Sequence, residues 1–151
     1  YFSPPNFMPG WQTPWRALAM TRIEPPHEMG RRSAAAGFAW AITLVNMRFP
    51  EIVETFLGYH GDELARDDAF SNGVMSALIM RFDISPDDAV LAAYRQHVPP
   101  AAKGKVVELW KRMVNQPAAH ALTDVFPKLK SLNKLEEVFR YQDLDALANS
   151  H

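Results

Sequence analysis

Histidine, serine and paired carboxylate side chains are the residues of this chain that could hold a metal ion or take part in catalysis. The five histidines are His27, His60, His97, His120 and His151. No two of them are three or four residues apart, which is the spacing that lets one helix present two ligands to a metal. The chain has no cysteine, so a thiolate metal site and a disulfide framework are both excluded. We predict no metal site and no cofactor.

Two pairs of adjacent acids could in principle divide the acid and base roles of a hydrolase. They are Asp67 with Asp68, and Asp87 with Asp88. Both pairs lie at predicted helix starts, where a carboxylate stabilises the helix dipole by about 0.3–1 kcal/mol, and we interpret them as capping residues. Ser71, Ser76 and Ser85 lack a nearby histidine and the strand–turn–helix context of a nucleophile. The sequence therefore predicts no catalytic residue, although a site assembled from distant residues stays an alternative.

Composition indicates one globular domain. Of the 151 residues, 48% are apolar and 22% are charged, and the net charge of −1 gives no overall basic excess that would attract nucleic acid. Residues 51–90 carry nine acids against two basic residues, whereas residues 103–134 carry seven basic residues against two acids. This polarity fits either solvated helix faces or an oriented docking surface. The longest apolar stretch, residues 34–45, is too short to span a membrane.

An extended N-terminal arm is predicted over residues 1–30. Six of the twelve prolines fall in the first 26 residues, and proline withholds the backbone donor that a helix needs. The arm also carries aromatic residues, and we predict that four of them anchor it on a partner protein: Phe2, Phe7, Trp11 and Trp15. The alternative is that the arm packs back on its own helices. Residue 1 is Tyr, which fits cleavage of an organellar presequence or a shortened chain.

Residues 31–151 are predicted to form an all-α domain of about seven helices, packed as antiparallel hairpins. Phe38, Ile42, Val45 and Phe49 make one apolar helical stripe, which Pro50 ends. A second stripe covers residues 52–57, and a third helix covers residues 69–82, with Phe70, Val74 and Leu78 as its apolar stripe. A fourth is expected to begin at Ser85 as N-cap and to end at Pro99.

The last three predicted helices are placed by proline and capping signals. Val106, Leu109, Trp110 and Met113 stripe a fifth helix that Pro117 is expected to close. A sixth is expected over residues 118–129, with a bend at Pro127. Asn133 and Glu136 have the spacing of a capping box for a seventh.

Three segments of similar pattern suggest a degenerate repeat. Residues 51–59, 105–113 and 134–142 each place an aliphatic residue second, Glu fourth and an aromatic residue sixth. Residues 105–113 resemble the second helix of a pentatricopeptide repeat, and the resemblance extends in degraded form over residues 38–145. That family binds RNA when many regular repeats are stacked, each reading one base. A short helical-repeat RNA-binding protein, using the basic residues 103–134, is therefore one alternative function.

A second resemblance concerns the whole layout: a proline- and aromatic-rich N-terminus, a mass of 17.1 kDa and degenerate helical hairpins. In these features the chain resembles the eighteen-kilodalton accessory subunit of the euglenozoan mitochondrial ATP synthase. The resemblance implies a non-catalytic structural subunit of the mitochondrial matrix, docked on an α subunit of the catalytic head. Its implied partners are other protein subunits. From the residues themselves we expect no cofactor and no membrane span, and nucleic acid is not the expected partner.

Overall fold

A computed structural model describes residues 28–150, and within that range the chain forms six α-helices and no β-strand. The helices are α1 (Glu28–Val45), α2 (Pro50–Leu64), α3 (Ala69–Ile84), α4 (Ala89–Gln96), α5 (residues 105–131) and α6 (Leu144–Ala148). Short 3-10 turns follow α4, at Ala101–Lys103, and α5, at Leu135–Phe139. The predicted all-α class is confirmed. None of the helices in the described range has both the length and the apolar character needed to cross a bilayer. The arm residues Phe2, Phe7, Trp11 and Trp15 lie outside the described range.

Within residues 28–150, the most extensive helix–helix contact joins α1 to α3. A Cβ atom placed on Gly73 of α3 would lie 2.7 Å from the Cβ atom of Ala39 and closer still to the carbonyl oxygen of Ala36. Glycine therefore allows the two backbones to approach within a distance that a larger residue would prevent. The sequence predicted that consecutive helices pack as hairpins, but this pairing joins helices that are not consecutive. Helix α2 packs instead against the first part of α5.

The predicted apolar stripe of α3 is confirmed and that of α2 is buried apart from the half-buried Ile52, whereas the stripe of α1 is partly wrong. Phe38 and Ile42 are buried in the core, but Val45 is 48% exposed and Phe49 is 53% exposed. Helix α1 ends at Val45 and not at Pro50, so that Val45 is its last residue and Phe49 lies beyond the helix in the turn that precedes α2.

Helix α4 begins later than predicted. Its N-cap is Asp88, whose carboxylate accepts a hydrogen bond from the Val90 N–H at 2.8 Å, and Ser85 is part of the preceding turn. The Arg81 Nε donates to the same carboxylate at 2.6 Å. The bonds from Arg81 and from Val90 hold the pKa of Asp88 below its usual value. An ionised carboxylate that is fixed by arginine is the better cap, which explains why Asp88 replaces Ser85 in this role.

Helix α5 runs through two prolines that were predicted to close one helix and bend another. The prediction that Pro117 ends a helix is wrong, because the chain stays helical from 105 to 131. A π-helical turn precedes each proline: Lys111–Asn115 before Pro117, and Ala121–Val125 before Pro127. The N–H of Gln116 bonds to the carbonyl of Lys111, five residues back. This wider turn accommodates a residue that has no N–H and that would clash in a regular α-turn.

The predicted seventh helix at Asn133 is also wrong. Asn133 adopts φ 57 and ends α5 with two hydrogen bonds: its own N–H to the Lys130 carbonyl at 3.1 Å, and the Lys134 N–H to the Leu129 carbonyl at 2.9 Å. This is a Schellman motif, in which asparagine tolerates the left-handed conformation. The chain then makes the 3-10 turn Leu135–Phe139, so the segment 134–142 has no α-helix to match those in segments 51–59 and 105–113.

Helix α6 is joined to α5 by a histidine that contacts two carboxylates. His120 places Nδ1 2.9 Å from the Asp124 carboxylate and Nε2 2.5 Å from the Asp145 carboxylate. Both ring nitrogens can donate only when the imidazole is protonated. The hydrogen bond to Asp145 raises the pKa of His120, burial opposes this, and the bond to Asp124 adds to it.

We expect the stability of the protein to fall as pH rises above about 6.5. Because the pKa of His120 is raised from 6.5 in the folded state, its contribution is complete below 6.5 and is lost as pH rises through the folded value. His120→Gln should remove most of this dependence, and the melting temperatures of the two proteins should converge at high pH. Thermal unfolding from pH 6 to 9 measures the difference, and parallel pH profiles would contradict the prediction.

Candidate protein-docking site

An open, mostly apolar groove of about 420 Å³ lies between the turn that joins α1 to α2 and helix α4. We call it the α4 groove, and it is lined by Met47, Arg48, Pro50, Ala89, Val90, Ala93, Tyr94 and His97. Two large apolar side chains adjoin these residues in the chain: Phe49, which is 53% exposed, and Val98, which is 65% exposed. Exposed apolar residues thus follow the groove-lining residues in the chain, and exposed apolar area together with a concave surface is typical of a binding surface.

Helix α4 forms one wall of the groove because one of its faces is buried and the other is exposed. Leu91 and Tyr94 point inward and are about 1% exposed. Ala89 and Ala93 are one turn apart on the groove side and are exposed. Their small side chains leave the space that forms the groove.

Two aromatic contacts fix the end of α4 against α5. The ring of Tyr94 lies 5.5 Å from that of Trp110, and the ring of His97 meets Trp110 edge-on at 5.0 Å. The Trp110 Nε1 donates to the His97 carbonyl at 3.1 Å. Burial raises the pKa of Tyr94, so its hydroxyl stays protonated. Trp110 is fully buried, which makes it a rigid support beneath this wall of the groove.

A buried carboxylate also fixes the C-terminal end of α4. Glu54 of α2 has a side chain only 1% exposed, its Oε2 pairs with His97 Nε2, and its Oε1 lies 2.7 Å from Lys103 Nζ. Burial alone would raise the pKa of Glu54, but the bonds from Lys103 and His97 outweigh it and leave the pKa below its usual value. Glu54 is therefore ionised at neutral pH, and it ties α2 to the segment between α4 and α5.

These contacts hold the side chains of the groove wall in fixed positions. A histidine paired with a carboxylate can act as a general base when a nucleophile is adjacent. The only hydroxyl among the groove-lining residues belongs to Tyr94, whose side chain is buried. Glu54 pairs with His97, which lines the groove. Within residues 28–150, no group of three or more histidine and carboxylate side chains is placed to hold a metal ion.

One acid of each predicted pair bonds to the start of its helix, but only Asp88 does so as the N-cap residue, because the N-cap of α3 is Asp68, whose side chain makes no capping bond. The Asp67 carboxylate accepts a bond from the Ala69 N–H at 2.9 Å, at the start of α3, as Asp88 does for α4. Asp68 accepts a hydrogen bond from the Tyr141 hydroxyl. Burial and the nearby Asp68 raise the pKa of Tyr141 to about 12.

Sequence reasoning missed the α4 groove. The groove joins residues 47–50 to residues 89–97, and the Glu54–His97 pair spans 43 positions. The one local signal was a pair of large apolar residues placed directly before prolines, Phe49 before Pro50 and Val98 before Pro99, where a helix is interrupted. The predicted partner-binding residues Phe2, Phe7, Trp11 and Trp15 lie outside the described residues, so the structure does not relate them to the groove.

Comparisons with protein-family models, with curated proteins and with solved structures return no match for this chain.

Proposed function

We propose that this chain is a non-catalytic subunit of a larger protein assembly and that the α4 groove is one of its contacts with a partner protein. The observation that carries the proposal is the apolar groove itself, with Phe49 and Val98 more than half exposed beside it. A partner segment that fills the groove and also covers these neighbouring side chains would remove apolar area from water, at roughly 25 cal/mol for each Å² buried. The wall is already ordered by Glu54 and Trp110, so binding would lose little conformational entropy.

The partner we propose is an α subunit of the mitochondrial ATP synthase catalytic head, in the mitochondrial matrix. The resemblance in layout to the euglenozoan accessory subunit supports this assignment, as does the aromatic N-terminal arm. The groove supplies a further surface of the kind that such a subunit needs. In this proposal the arm and the groove act as two contacts of one docked chain, and two linked contacts raise the overall affinity above that of either.

Ala93→Arg is expected to prevent docking. The substitution places a long charged side chain in the apolar groove, where an apolar partner segment would leave the charge desolvated and unpaired, so we expect partner affinity to fall at least tenfold. Ala93 is exposed, and arginine is a good helix former, so the fold should persist. The tagged protein is purified from its native source, and the co-purifying proteins are identified and quantified by mass spectrometry.

Ala92→Arg is the matched control. Ala92 is the preceding residue of α4, is also exposed, and lines a different cavity between α4 and α5. It should retain the ATP synthase α subunit as the main co-purifying protein, whereas Ala93→Arg should lose it. Elution of the unsubstituted protein as a free monomer would contradict the subunit role. Equal retention by both variants would remove the groove from the interface.

A further inference from the structure

A second cavity, of about 340 Å³, lies between α3 and the turn that follows α5. Its lining residues are Ile79, Met80, Asp83, Asn133, Leu135, Glu136, Val138 and Phe139. The volume is at the lower end of the roughly 300–1,000 Å³ of ligand pockets and suits a single long side chain. The Schellman turn at Asn133 places the far wall, because it directs the chain back over α3.

Five of the eight residues that line this cavity are apolar, and one of the five carries an exposed aromatic ring. Ile79 and Val138 are buried at its base, while Phe139 is 63% exposed at its edge. A largely exposed phenylalanine ring at a cavity offers a face on which a planar group can stack.

Both charged residues of the lining are acids. Asp83 has a loose ion pair with Lys130, at 3.6 Å between Oδ1 and Nζ, in which both side chains are substantially exposed. Glu136 forms no ion pair with any residue of the described range and is exposed. An occupant of this cavity therefore meets two carboxylates whose charge is little compensated, which favours a cation.

We propose that this cavity binds an arginine side chain of a partner protein. The aliphatic part of the side chain would lie against Ile79 and Val138, and the guanidinium would stack on Phe139. The planar guanidinium has five N–H donors and can bond to Asp83 and Glu136 together, which the compact ammonium of lysine does less well. This inference rests on the proposed subunit role only in that the arginine belongs to a partner protein. Its site shares no residue with the α4 groove.

The test is a titration of the isolated full chain with N-acetylarginine methylamide, followed by NMR signals of the Ile79 methyl groups and the Phe139 ring. We expect saturable shifts at both residues. N-acetylcitrulline methylamide, which has the same shape without the charge, should bind at least tenfold more weakly. Asp83→Asn and Glu136→Gln should each weaken arginine binding about fivefold, and Phe139→Ala should weaken it by a similar factor.

Glu137→Gln is the matched control, because Glu137 is the next acid along the chain, does not line the cavity, and pairs weakly with Arg140 at 4.0 Å. It should bind the probe as the unsubstituted chain does. Equal binding of the citrulline probe, or an equal loss in Glu137→Gln, would overturn the site. Tighter binding of free arginine, whose α-carboxylate would face the same two acids, would overturn the assignment to a partner side chain. The titration uses the isolated chain without a partner protein. A negative result would therefore not bear on the co-purification experiment, and the two proposals can fail independently.

Discussion

Replacing Gly73 with alanine is expected to destabilise the protein by at least roughly 2 kcal/mol, although alanine is ordinarily the better helix former. The added Cβ would stand 2.9 Å from the backbone nitrogen of Trp40 and closer still to the Ala36 carbonyl oxygen. These are backbone atoms, so relief requires α1 and α3 to move apart, and that movement would loosen the core around Ala39 and Ile42. The melting temperature should fall by about 4–8 °C.

Gly37→Ala, in the neighbouring helix α1, is expected to have the opposite effect on stability. Gly37 lies in α1, is exposed, and has no atom within 4 Å of where its Cβ would be. Alanine there should stabilise the helix by about 0.5–1 kcal/mol, because it restricts the unfolded chain without a clash. Urea unfolding of both variants measures the contrast. A stabilised Gly73→Ala protein would show that the close approach of α1 and α3 is wrong.

Removing the partner of a buried carboxylate has the second large effect. Lys103→Met leaves Glu54 with His97 alone, and breaking a buried ion pair costs roughly 3–5 kcal/mol. The Lys103 side chain is 37% exposed, so water already screens part of this interaction, and we expect about 2–3 kcal/mol. Lys105→Met is the control, because Lys105 pairs with Asp62 at the surface, where both side chains are mostly exposed. It should change stability by less than about 1 kcal/mol.

The same variant should change the response to acid. Because the pKa of Glu54 lies below its ordinary 4.5 in the folded protein, its stabilisation is present above that pH and is lost as pH falls below it. Lys103 is the largest of the favourable influences on this carboxyl group, so Lys103→Met should flatten the stability profile below pH 4.5. Chemical unfolding from pH 3 to 7 tests this. If stability decreased below pH 4.5 to the same extent in the variant and the unsubstituted protein, Lys103 would not control the ionisation of Glu54.

The parts of the fold that could be predicted from the sequence are those that local periodicity determines. In α2 and α3 the apolar residues recur at helical spacing, and Phe56, Val74 and Leu78 are fully buried as expected. Proline at 117 was interpreted as a helix end because it lacks a donor and clashes in an α-turn. The sequence does not show that a π turn can absorb both difficulties, since that depends on how α5 packs on α3.

Other wrong predictions arise because one local sequence pattern is compatible with two different structures. Asn133 followed three residues later by Glu136 fits a capping box, but the same asparagine can end a helix in the left-handed conformation, and here it does. The α4 groove depends on residues about 40 positions apart, and no local pattern reports which segments meet. Glu54 shows the limit clearly: it occupies the repeated fourth position of segment 51–59, yet its role comes from His97 and Lys103.

The continuous helix α5 also determines how the domain comes apart. A stacked repeat array frays from its ends, because each unit touches only its neighbours and can melt while the rest persists. Helix α5 is about 40 Å long and packs in turn on α2, on α3 and on α6, and its Trp110 supports α4. None of these elements can leave without exposing part of the same helix. The described domain should therefore unfold in a single cooperative step, with no stable half that could survive, be excised or be exchanged by itself.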